Sequence, residues 1–438
     1  MQRILPGRIG RGSMLLLAMV MGGTACHDDA VTAPPPSASL CPAALPSPAT
    51  CYRGAGVSGA EYVIAVPDPW KGVLILFNRG ATPVPLDSAR VFGAARFLLA
   101  EGVAVAASAF RSDTPLAREA AEDTDELRRI FSSAFGKPKR TVLMGLSFGS
   151  LVTVRCAELF RGYDGAFAGC GLVAGSRESY YPLLDLRLVY QHFCRNLPRP
   201  SERQYDLFLG NDPQTPTTIE EVRARANECT GIGVAATQRT AEQRARLANI
   251  LAVARIPEAF LLTNLEAAVT LLPKLVVDEL GGRNPLGNPD VRYAGSTDDN
   301  ALNRDIARYT ANAAAAATLI TADDPTGKVS IPIVTLHAID DGRAYVENEA
   351  AYRTTMDRAG TVDRLFQAYT TQGAHCQFTQ PESLGMVSVL MDWIENGTRP
   401  TTQSLAAACD RYRVQLGGAC RFNPSYQPAA LTTRMYAR

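Results

Sequence analysis

Short apolar runs alternate with amphipathic stretches along the chain up to residue 173. Residues 72–78 (GVLILFN) and 141–146 (TVLMGL) contain almost no polar side chain and fit buried β-strands. Residues 116–135 repeat their apolar positions at helical spacing, and 148–160 read as a helix directly after the second run. The same patterns predict strands over 61–67, 103–110 and 166–173 and a helix over 88–101. This alternation favours an α/β fold with a mostly parallel, doubly wound sheet that helices cover on both faces.

The alternation stops near residue 179 and resumes near residue 329. The intervening stretch of about 150 residues shows no convincing strand, and capping boxes at Thr218–Glu221 and Thr240–Gln243 predict helix starts. Further helical patterns cover 258–280 and 300–320, and after them strands 331–339 and 364–369 alternate with helices near 344–359 and 381–396. We therefore predict a helical lid, 179–328, inserted into a core that consists of 56–178 and 329–438.

The N-terminus has the pattern of an export signal. Three arginines precede an apolar stretch at 14–21 and small residues at 23–25, which predicts a signal peptide over 1–25. Cys26 follows and resembles the acylated cysteine of a bacterial lipobox. Residues 26–55, rich in Pro, Ala and Ser over 33–48, are interpreted as a tether. We expect an exported protein, either anchored to a membrane through lipid on Cys26 or secreted with Cys26 free or disulfide-bonded.

Composition excludes several classes of protein. The 438 residues hold 44 Lys and Arg against 43 Asp and Glu, which argues against a nucleic-acid partner, since phosphate binding needs a basic field. A hydrophobic fraction of 46% is too high for a disordered chain. No apolar run reaches the roughly 18 residues of a membrane span, which argues against a polytopic membrane protein. Removal of 1–25 leaves 41 basic and 43 acidic residues, a net charge of −2 that suits a small substrate better than a polyanion.

Ten cysteines are many for a cytosolic enzyme and point to an oxidising compartment. If Cys26 carries a lipid, an odd number remains and at least one cysteine is unpaired. No CxxC pair or close His/Cys cluster supports a metal site. The local candidate pairs for disulfides are Cys41–Cys51, Cys194–Cys229 and Cys409–Cys420, and the sequence does not fix the connectivity.

A G-x-S-x-G motif, Gly145-Leu146-Ser147-Phe148-Gly149, stands between an apolar strand and a helix. A sharp turn there needs glycine at both ends, because a side chain would clash, and it lifts the Ser147 hydroxyl off the sheet edge. The backbone N–H of Phe148 then faces a developing oxyanion at the positive end of a helix. The motif therefore predicts a serine nucleophile.

Among the four histidines, His375 is the candidate base for this nucleophile. It lies in the loop after the last predicted strand and before the last predicted helix, from which it can reach Ser147 at the sheet edge. The other three have structural interpretations: His27 lies in the tether, His192 in the lid and His337 inside a strand.

Asp340 and Asp341 are the candidates for the acid that orients His375. Both follow the strand 331–339, at the carboxyl edge where open α/β sheets place their active sites. One of the two fits the acid and the other fits a turn or helix cap. Glu178 and Asp185, after the preceding strand, are further alternatives.

The chain carries Ser147, Asp341 and His375 in that order, together with the segments 293–299, 335–341 and 373–379. These features resemble the α/β-hydrolase superfamily over about residues 61–397. The likeness is greatest to secreted bacterial members with a large helical cap. It implies a parallel sheet with an inserted lid and assigns the acid to Asp341, the second residue of what is usually a Gly-Asp pair. The pair His375-Cys376 is also similar to tannases and feruloyl esterases, in which that cysteine bonds to one beside the nucleophile. Leu146 occupies that place here, so that bridge cannot form.

The resulting hypothesis is an exported serine hydrolase that cleaves an ester, or an amide, through an acyl-enzyme. Ser147 attacks, His375 acts as base, Asp341 orients it, and the N–H groups of Phe148 and Ala81 bind the oxyanion. The substrate is a small-molecule ester or a short peptide. No metal or organic cofactor and no protein partner are indicated. The alternatives are an aminopeptidase-like enzyme of the same fold and a catalytically inactive cell-surface binding protein.

Residues around the motif leave two questions open. Arg79, beside the predicted oxyanion loop, fits either a contact to an anionic substrate group or a solvated loop charge. Tyr180, Tyr181 and Tyr205 at the start of the lid fit either an acyl pocket or core packing.

Overall fold

The centre of the protein is one twisted sheet. The computed structural model describes residues 33–42, 45, 49–81, 86, 88–113 and 116–438, and within these ranges nine strands lie in the order β1-β2-β3-β5-β4-β6-β7-β8-β9. The pairings from β5 through β4 and β6 to β9 are all parallel. The pairings of β1 with β2, of β2 with β3 and of β3 with β5 are antiparallel. The strands are β1 Ser37–Ser39, β2 Ala49–Ala55, β3 Glu61–Pro67, β4 Val73–Asn78, β5 Val103–Ser108, β6 Arg140–Leu146, β7 Gly165–Gly169, β8 Ile333–Ala338 and β9 Leu365–Thr370. The predicted mostly parallel sheet is therefore confirmed.

Helices follow the strands as the apolar patterns indicate. The described residues form α1 Ser88–Ala100, α2 Ala117–Phe135, α3 Phe148–Leu159, α4 Arg177–Cys194, α5 Ile219–Thr230, α6 Ala241–Ala254, α7 Leu261–Pro273, α8 Asp299–Asp305, α9 Ala313–Asp323, α10 Asn348–Arg358, α11 Gln380–Asn396 and α12 Thr402–Leu416. Thr218 and Thr240 cap α5 and α6 as predicted, because each side chain accepts a hydrogen bond from the backbone N–H three residues later.

Successive side chains of each strand enter opposite cores, because a strand has a period of two. Leu74 and Leu76 of β4 pack with α2 and α3 on one face of the sheet, whereas Ile75 packs with α1, α11 and α12 on the other. All three side chains are almost completely buried. This two-sided burial explains why the central strands are continuous apolar runs, and it fixes their carboxyl ends at one edge of the sheet.

Between β7 and β8 the described residues are helical and contain no strand. Helices α4 to α9 pack around a core of their own, which includes Leu184, Val189, Leu265 and Leu272. The region begins with α4 at Arg177 and ends with α9 at Asp323. The division into domains at 178 and 328 stays a prediction.

One helical stretch of this region, Glu258–Glu279, passes a composition test for membrane spans. It is 22 residues long and comprises a 3-10 turn, α7 and the π-helical turn Lys274–Glu279. Half of its most apolar window is buried inside the protein. A core helix of a soluble protein can have this composition. The stretch coincides with the helical pattern predicted over 258–280.

The structure differs from three predictions of local structure. Residues 26–55, interpreted as a tether, include β1 and β2, because the alternating segment Ala49–Ala55 pairs along the whole of β3. The helix predicted over 300–320 is divided into α8 and α9. The strand predicted over 166–173 ends at Gly169, where Cys170 adopts a positive φ of 47°. The predicted signal peptide and Cys26 lie outside the described residues.

Four disulfides connect the described residues. Cys41–Cys51, Cys194–Cys229 and Cys409–Cys420 form as predicted, and Cys170–Cys376 joins residues 206 positions apart. Cys156 is free and buried within α3. Disulfides at this density are typical of proteins that fold in an oxidising compartment.

Candidate active site

Ser147 stands on a strained turn between β6 and α3. Its backbone has φ 57° and ψ −125°, a combination that costs free energy for a residue with a side chain and that functional turns tend to retain. A Cβ at Gly145 would lie 2.1 Å from the carbonyl oxygen of Gly149, and one at Gly149 would lie 2.0 Å from that of Asn78. Because backbone atoms leave no room for a side chain, both glycines of the motif are sterically required.

The loop after β4 lies directly against this turn. A Cβ at Gly80 would be 3.9 Å from the Ser147 hydroxyl oxygen, so the backbone of the loop borders the nucleophile. Phe148 is the first residue of α3, and its N–H belongs to the helix N-terminus, where N–H groups have no intrahelical partner. Ala81, the other predicted oxyanion donor, is partly buried next to Gly80. The two predicted donors therefore come from two different segments that border Ser147, the loop after β4 and the start of α3.

Arg79 is held by backbone carbonyls and is not a solvated loop charge, whereas its alternative role as a contact to an anionic substrate group stays a prediction. Its guanidinium donates hydrogen bonds to the carbonyl oxygens of Ala109 (2.6 and 2.9 Å), Ser112 (3.0 Å) and Asp113 (3.1 Å), and it lies 4.8 Å from the ring centre of Phe110. Burial lowers the pKa of Arg79, although Asp113 opposes the shift. The side chain thus fastens the loop after β4 to the loop after β5. The sequence gives no local signal for these contacts, because their acceptors are backbone carbonyls about 30 residues away.

The predicted base, His375, lies within hydrogen-bonding distance of the predicted nucleophile, Ser147. His375, in the loop between β9 and α11, places Nε2 3.0 Å from Ser147 Oγ and Nδ1 2.7 Å from Asp341 Oδ2. The first distance suits proton transfer from the hydroxyl, and the second suits an imidazole whose Nδ1 donates to a carboxylate. The three residues that the sequence indicates, separated by up to 228 positions, are thus brought together.

Of the two candidate acids, Asp341 and not Asp340 faces His375. Asp341 is 3% exposed, and its Oδ1 accepts hydrogen bonds from the N–H groups of Arg343 (2.8 Å) and Ala344 (3.0 Å). Burial alone would raise its pKa, but the hydrogen bond and charge of His375, helped by His337 and the Arg343 N–H, outweigh burial and lower the pKa. Asp340 is exposed to solvent. The turn after β8 directs one of the two neighbouring carboxylates inward and the other outward.

Ser147, Asp341 and His375 follow β6, β8 and β9 at the carboxyl edge of the parallel sheet, and Ser147 occupies a strand-to-helix elbow. This order of groups on a sheet of this topology decides the fold. The chain has the α/β-hydrolase fold.

Comparisons with known proteins give only distant similarities to this chain. No protein-family model matches the sequence. A relative, o-phthalyl amidase of Xanthobacter agilis, is 22% identical over 402 residues, which cover 79% of this chain and 87% of that protein.

Solved structures similar to this chain include Candida antarctica lipase A in its closed state. That similarity has 14% identity and a TM-score of 0.43, and it covers 84% of this chain and 86% of the lipase chain. A Pyrococcus furiosus esterase has 11% identity, covers 88% of this chain and 98% of its own, and gives a TM-score of 0.40. The chain spans only 40% of the length of Pyrococcus horikoshii acylaminoacyl peptidase, at 10% identity and a TM-score of 0.36. The assignment of the fold rests on the sheet order and the elbow.

The other titratable candidates from the sequence lie elsewhere in the fold. His192 is half-buried in α4, edge-on to the ring of Phe193. Asp185 is buried in the helical region, where its Oδ1 accepts from Tyr293 (2.6 Å) and Arg438 (2.7 Å). Glu178 lies near Arg177 at the start of α4. His27 lies outside the described residues. None of the described three contacts the group formed by Ser147, His375 and Asp341.

The tyrosines at the start of the helical region serve packing. Tyr180, Tyr181 and Tyr205 all pack against the helical core. The hydroxyl of Tyr205 accepts a hydrogen bond from Arg187 at 2.8 Å, and the ring of Tyr181 lies 4.1 Å from the guanidinium carbon of Arg438. These contacts favour the interpretation as core residues.

Two polar contacts hold the helical region over the loop after β5. Ser112 donates to Glu279 at 2.8 Å, and Lys274 pairs with Asp113 at 2.8 Å. Both partners in the helical region belong to the π-helical turn Lys274–Glu279. Since Arg79 fastens the same loop to the predicted oxyanion segment, the helical region and the site are mechanically connected.

A disulfide that the sequence did not reveal lies beside the base. Cys376 follows His375 and bonds to Cys170, which follows β7, the neighbour of the nucleophile strand. Both sulfur atoms lie within 4.8 Å of a ring nitrogen of His375. Cys376 also has a positive φ of 59°, an uncommon conformation for this residue type. The bridge thus fixes the loop that carries the base to the sheet.

Loss of this bridge should impair both stability and turnover. We expect the double variant Cys170→Ser/Cys376→Ser to lose about 2–5 kcal/mol of unfolding free energy, the usual range for a native disulfide. We also expect kcat/KM to fall about tenfold, because a 1 Å displacement of a catalytic group costs 10–100-fold. Denaturant unfolding and steady-state kinetics would measure the two effects.

The matched control is Cys194→Ser/Cys229→Ser, which removes a bridge of 35 positions between α4 and α5. It should lower stability and leave kcat/KM within about twofold of wild type, because it joins two helices of the helical region and not the loop that carries His375. Equal kinetic losses in the two double variants would contradict a specific role of Cys170–Cys376 at the base.

Proposed function

We propose that this protein is a serine hydrolase that cleaves ester or amide bonds. The observation that carries the proposal is the hydrogen-bonded series Ser147 Oγ, His375 and Asp341, with distances of 3.0 and 2.7 Å, on a strained elbow. A serine is a weak nucleophile unless an adjacent base takes its proton, and that base needs a fixed orientation. This arrangement supplies both requirements.

In the proposed mechanism, Ser147 Oγ attacks the carbonyl carbon of the substrate while its proton passes to His375 Nε2. The carbonyl oxygen becomes an oxyanion that the N–H groups of Phe148 and Ala81 stabilise. His375 then gives its proton to the leaving alcohol or amine, and an acyl-serine remains. Water attacks the acyl group, gives a proton to His375, and releases the acid as that proton returns to Ser147.

Asp341 keeps His375 productive in both half-reactions. Its lowered pKa keeps the carboxylate ionised at neutral pH, so that it accepts from Nδ1 and stabilises the imidazolium that forms at each transfer. The residues in this scheme need no metal and no organic cofactor.

For the substrate, we propose a small ester or amide with a carbonyl accessible to Ser147. The relative from Xanthobacter agilis is named an amidase, which supports testing amides as well as esters. The near-equal numbers of acidic and basic residues support a small substrate rather than a polyanion.

A fluorophosphonate probe combined with a substrate panel tests the proposed function. We expect the probe to label Ser147 in wild type and to label His375→Ala far more slowly, because phosphonylation needs an activated serine. Nitrophenyl acyl esters, acyl anilides and peptide nitroanilides then identify the leaving group. Absence of both labelling and turnover on every panel member would leave the inactive binding protein as the better interpretation.

We also propose that the protein is exported, with lipid attachment at Cys26 as the form of anchoring. Four disulfides among the described residues support an oxidising compartment. Globomycin-sensitive processing and metabolic labelling with a fatty acid in a bacterial host test the anchor, and Cys26→Ser serves as the control. Release of an unlabelled mature protein into the periplasm or medium would support plain secretion instead.

A further inference from the structure

A second pair of buried ionisable side chains lies beneath the acid of the candidate site. His337 in β8 and Glu349 in α10 are both fully buried, and neither belongs to the series Ser147, His375, Asp341. His337 Nδ1 lies 3.1 Å from Glu349 Oε1, and its Nε2 lies 2.8 Å from the carbonyl oxygen of Ala344. Two buried ionisable groups with complete hydrogen bonding are costly to retain unless they have a role.

The contacts determine where the protons are. A carbonyl oxygen only accepts hydrogen bonds, so His337 Nε2 must carry a proton towards Ala344. The other oxygen of Glu349, Oε2, accepts from Thr335 Oγ1 (2.6 Å) and Gln367 Nε2 (2.6 Å). Since Oε2 already accepts two hydrogen bonds, Oε1 is the oxygen left to pair with His337 Nδ1. This arrangement fits an imidazolium that donates from both ring nitrogens, to Glu349 and to the Ala344 carbonyl.

The imidazolium acts on Asp341 in two ways. His337 Nε2 lies 3.8 Å from Asp341 Oδ2, the oxygen that faces His375. In addition, residue Ala344 connects the two side chains, because its carbonyl accepts from His337 and its N–H donates to Asp341 Oδ1. Removal of His337 would therefore release the turn that holds Asp341 and remove a positive charge from its vicinity.

We propose that His337 and Glu349 are positioning residues that set the orientation and the electrostatic environment of Asp341, and through Asp341 those of His375. The inference rests on the proposed serine hydrolase function and adds a second layer to its site. Burial would lower the pKa of His337, but Glu349, Asp341 and the Ala344 carbonyl outweigh burial and raise it. The titratable and charged groups that face the pair from the neighbouring elements are Asp341 in the turn, Tyr352 and Arg353 in α10, and Tyr369 in β9.

The test uses His337→Gln and the double variant His337→Gln/Glu349→Gln, which retains hydrogen-bonding capacity and approximate volume without either charge. Loss of a positive charge near Asp341 favours protonated His375, so we expect the acid limb of the kcat/KM profile to move to higher pH by about half a unit or more. At neutral pH, kcat/KM should fall about tenfold, mainly in kcat. His192→Gln, a half-buried histidine in α4, is the matched control and should change neither quantity.

A merely structural role would lower the melting temperature and the amount of active enzyme, but the acid limb would stay in place. An unmoved limb in both variants, with wild-type labelling by the fluorophosphonate probe, would overturn the positioning role and leave the proposed function intact. Absence of labelling in wild type would instead overturn the proposed function.

Selective ¹⁵N labelling of histidine gives a measurement on the wild-type protein that does not depend on whether the variants fold. We expect both ring nitrogens of His337 to be protonated at neutral pH, with the assignment taken from the signal lost in His337→Gln or, if that variant does not fold, from contacts to α10. A neutral imidazole with a single ring proton would contradict the charged pair and with it the proposal.

Discussion

Replacement of Ser147 with alanine is expected to reduce kcat/KM by about 10⁴-fold or more, because loss of the nucleophile removes the acyl-enzyme route entirely. Fluorophosphonate labelling should disappear with it. The unfolding free energy should stay within about 1 kcal/mol of wild type, since alanine keeps the backbone of the elbow and loses one hydrogen bond to His375. Steady-state kinetics and denaturant unfolding measure the two quantities on the same preparation.

Ser150→Ala, three residues after Ser147 in the first turn of α3, provides the contrasting variant. The Ser150 hydroxyl lies 2.9 Å from the carbonyl oxygen of Gly145 and 2.6 Å from that of Gly169, and it can donate its one proton to either. Its loss removes a buried hydrogen bond and should cost about 1 kcal/mol of stability. This variant should still be labelled. Ester turnover by Ser147→Ala at the wild-type rate would refute the assignment of the nucleophile, whatever the stability of either variant.

The second large effect is expected for Asp341→Asn. An asparagine at this position can present its N–H₂ to His375 Nδ1, which stabilises the tautomer that cannot accept the serine proton at Nε2. The same exchange in a serine protease lowers kcat about 10⁴-fold, and we expect about 10³–10⁴-fold here. Asp340→Asn, one residue earlier on an exposed side chain, should stay within about twofold of wild type.

The free energy of unfolding should depend on the ionisation of Asp341 at acid pH. The pKa of Asp341 is lower in the folded protein, so its contribution is present above the unfolded value of about 4 and is lost as pH falls through the folded value. The Asn variant should therefore lose stability at neutral pH and approach wild type below about pH 4. Chemical denaturation at several pH values checks this. Comparable losses of activity in the Asp340 and Asp341 variants would show that the turn does not distinguish the two carboxylates.

Much of the architecture was accessible from the sequence, because it depends on local patterns. The apolar run 61–67 coincides with β3. The two glycines of the motif predict a sharp turn, and in the structure neighbouring backbone atoms leave no room for a side chain at either position. The proximity of His375 to Ser147 could also be predicted, because both follow parallel strands whose carboxyl ends meet at one edge of the sheet. The ambiguity between Asp340 and Asp341 disappears only when the backbone shows which side chain points inward.

What the sequence left open depends on contacts between distant segments. The bond between Cys170 and Cys376 joins two loops that only the assembled sheet brings together, and the sole local signal was a cysteine beside the base. Arg79 finds its partners among backbone carbonyls, which carry no sequence signature. His337 was recognisable as a buried histidine inside a strand, but its carboxylate partner lies 12 residues later on a helix and is identified by geometry alone.

The Cys170–Cys376 bridge also implies an order of events in biosynthesis. The other three disulfides span 10, 35 and 11 positions and can close soon after each segment emerges, whereas this one must wait for 206 further residues. The loop that carries His375 is therefore secured only when nearly the whole chain has been delivered to an oxidising environment. Under the proposed export, a chain that is still inside the reducing cytoplasm would lack this bridge, and the loop that carries the proposed base would be held by its other contacts alone.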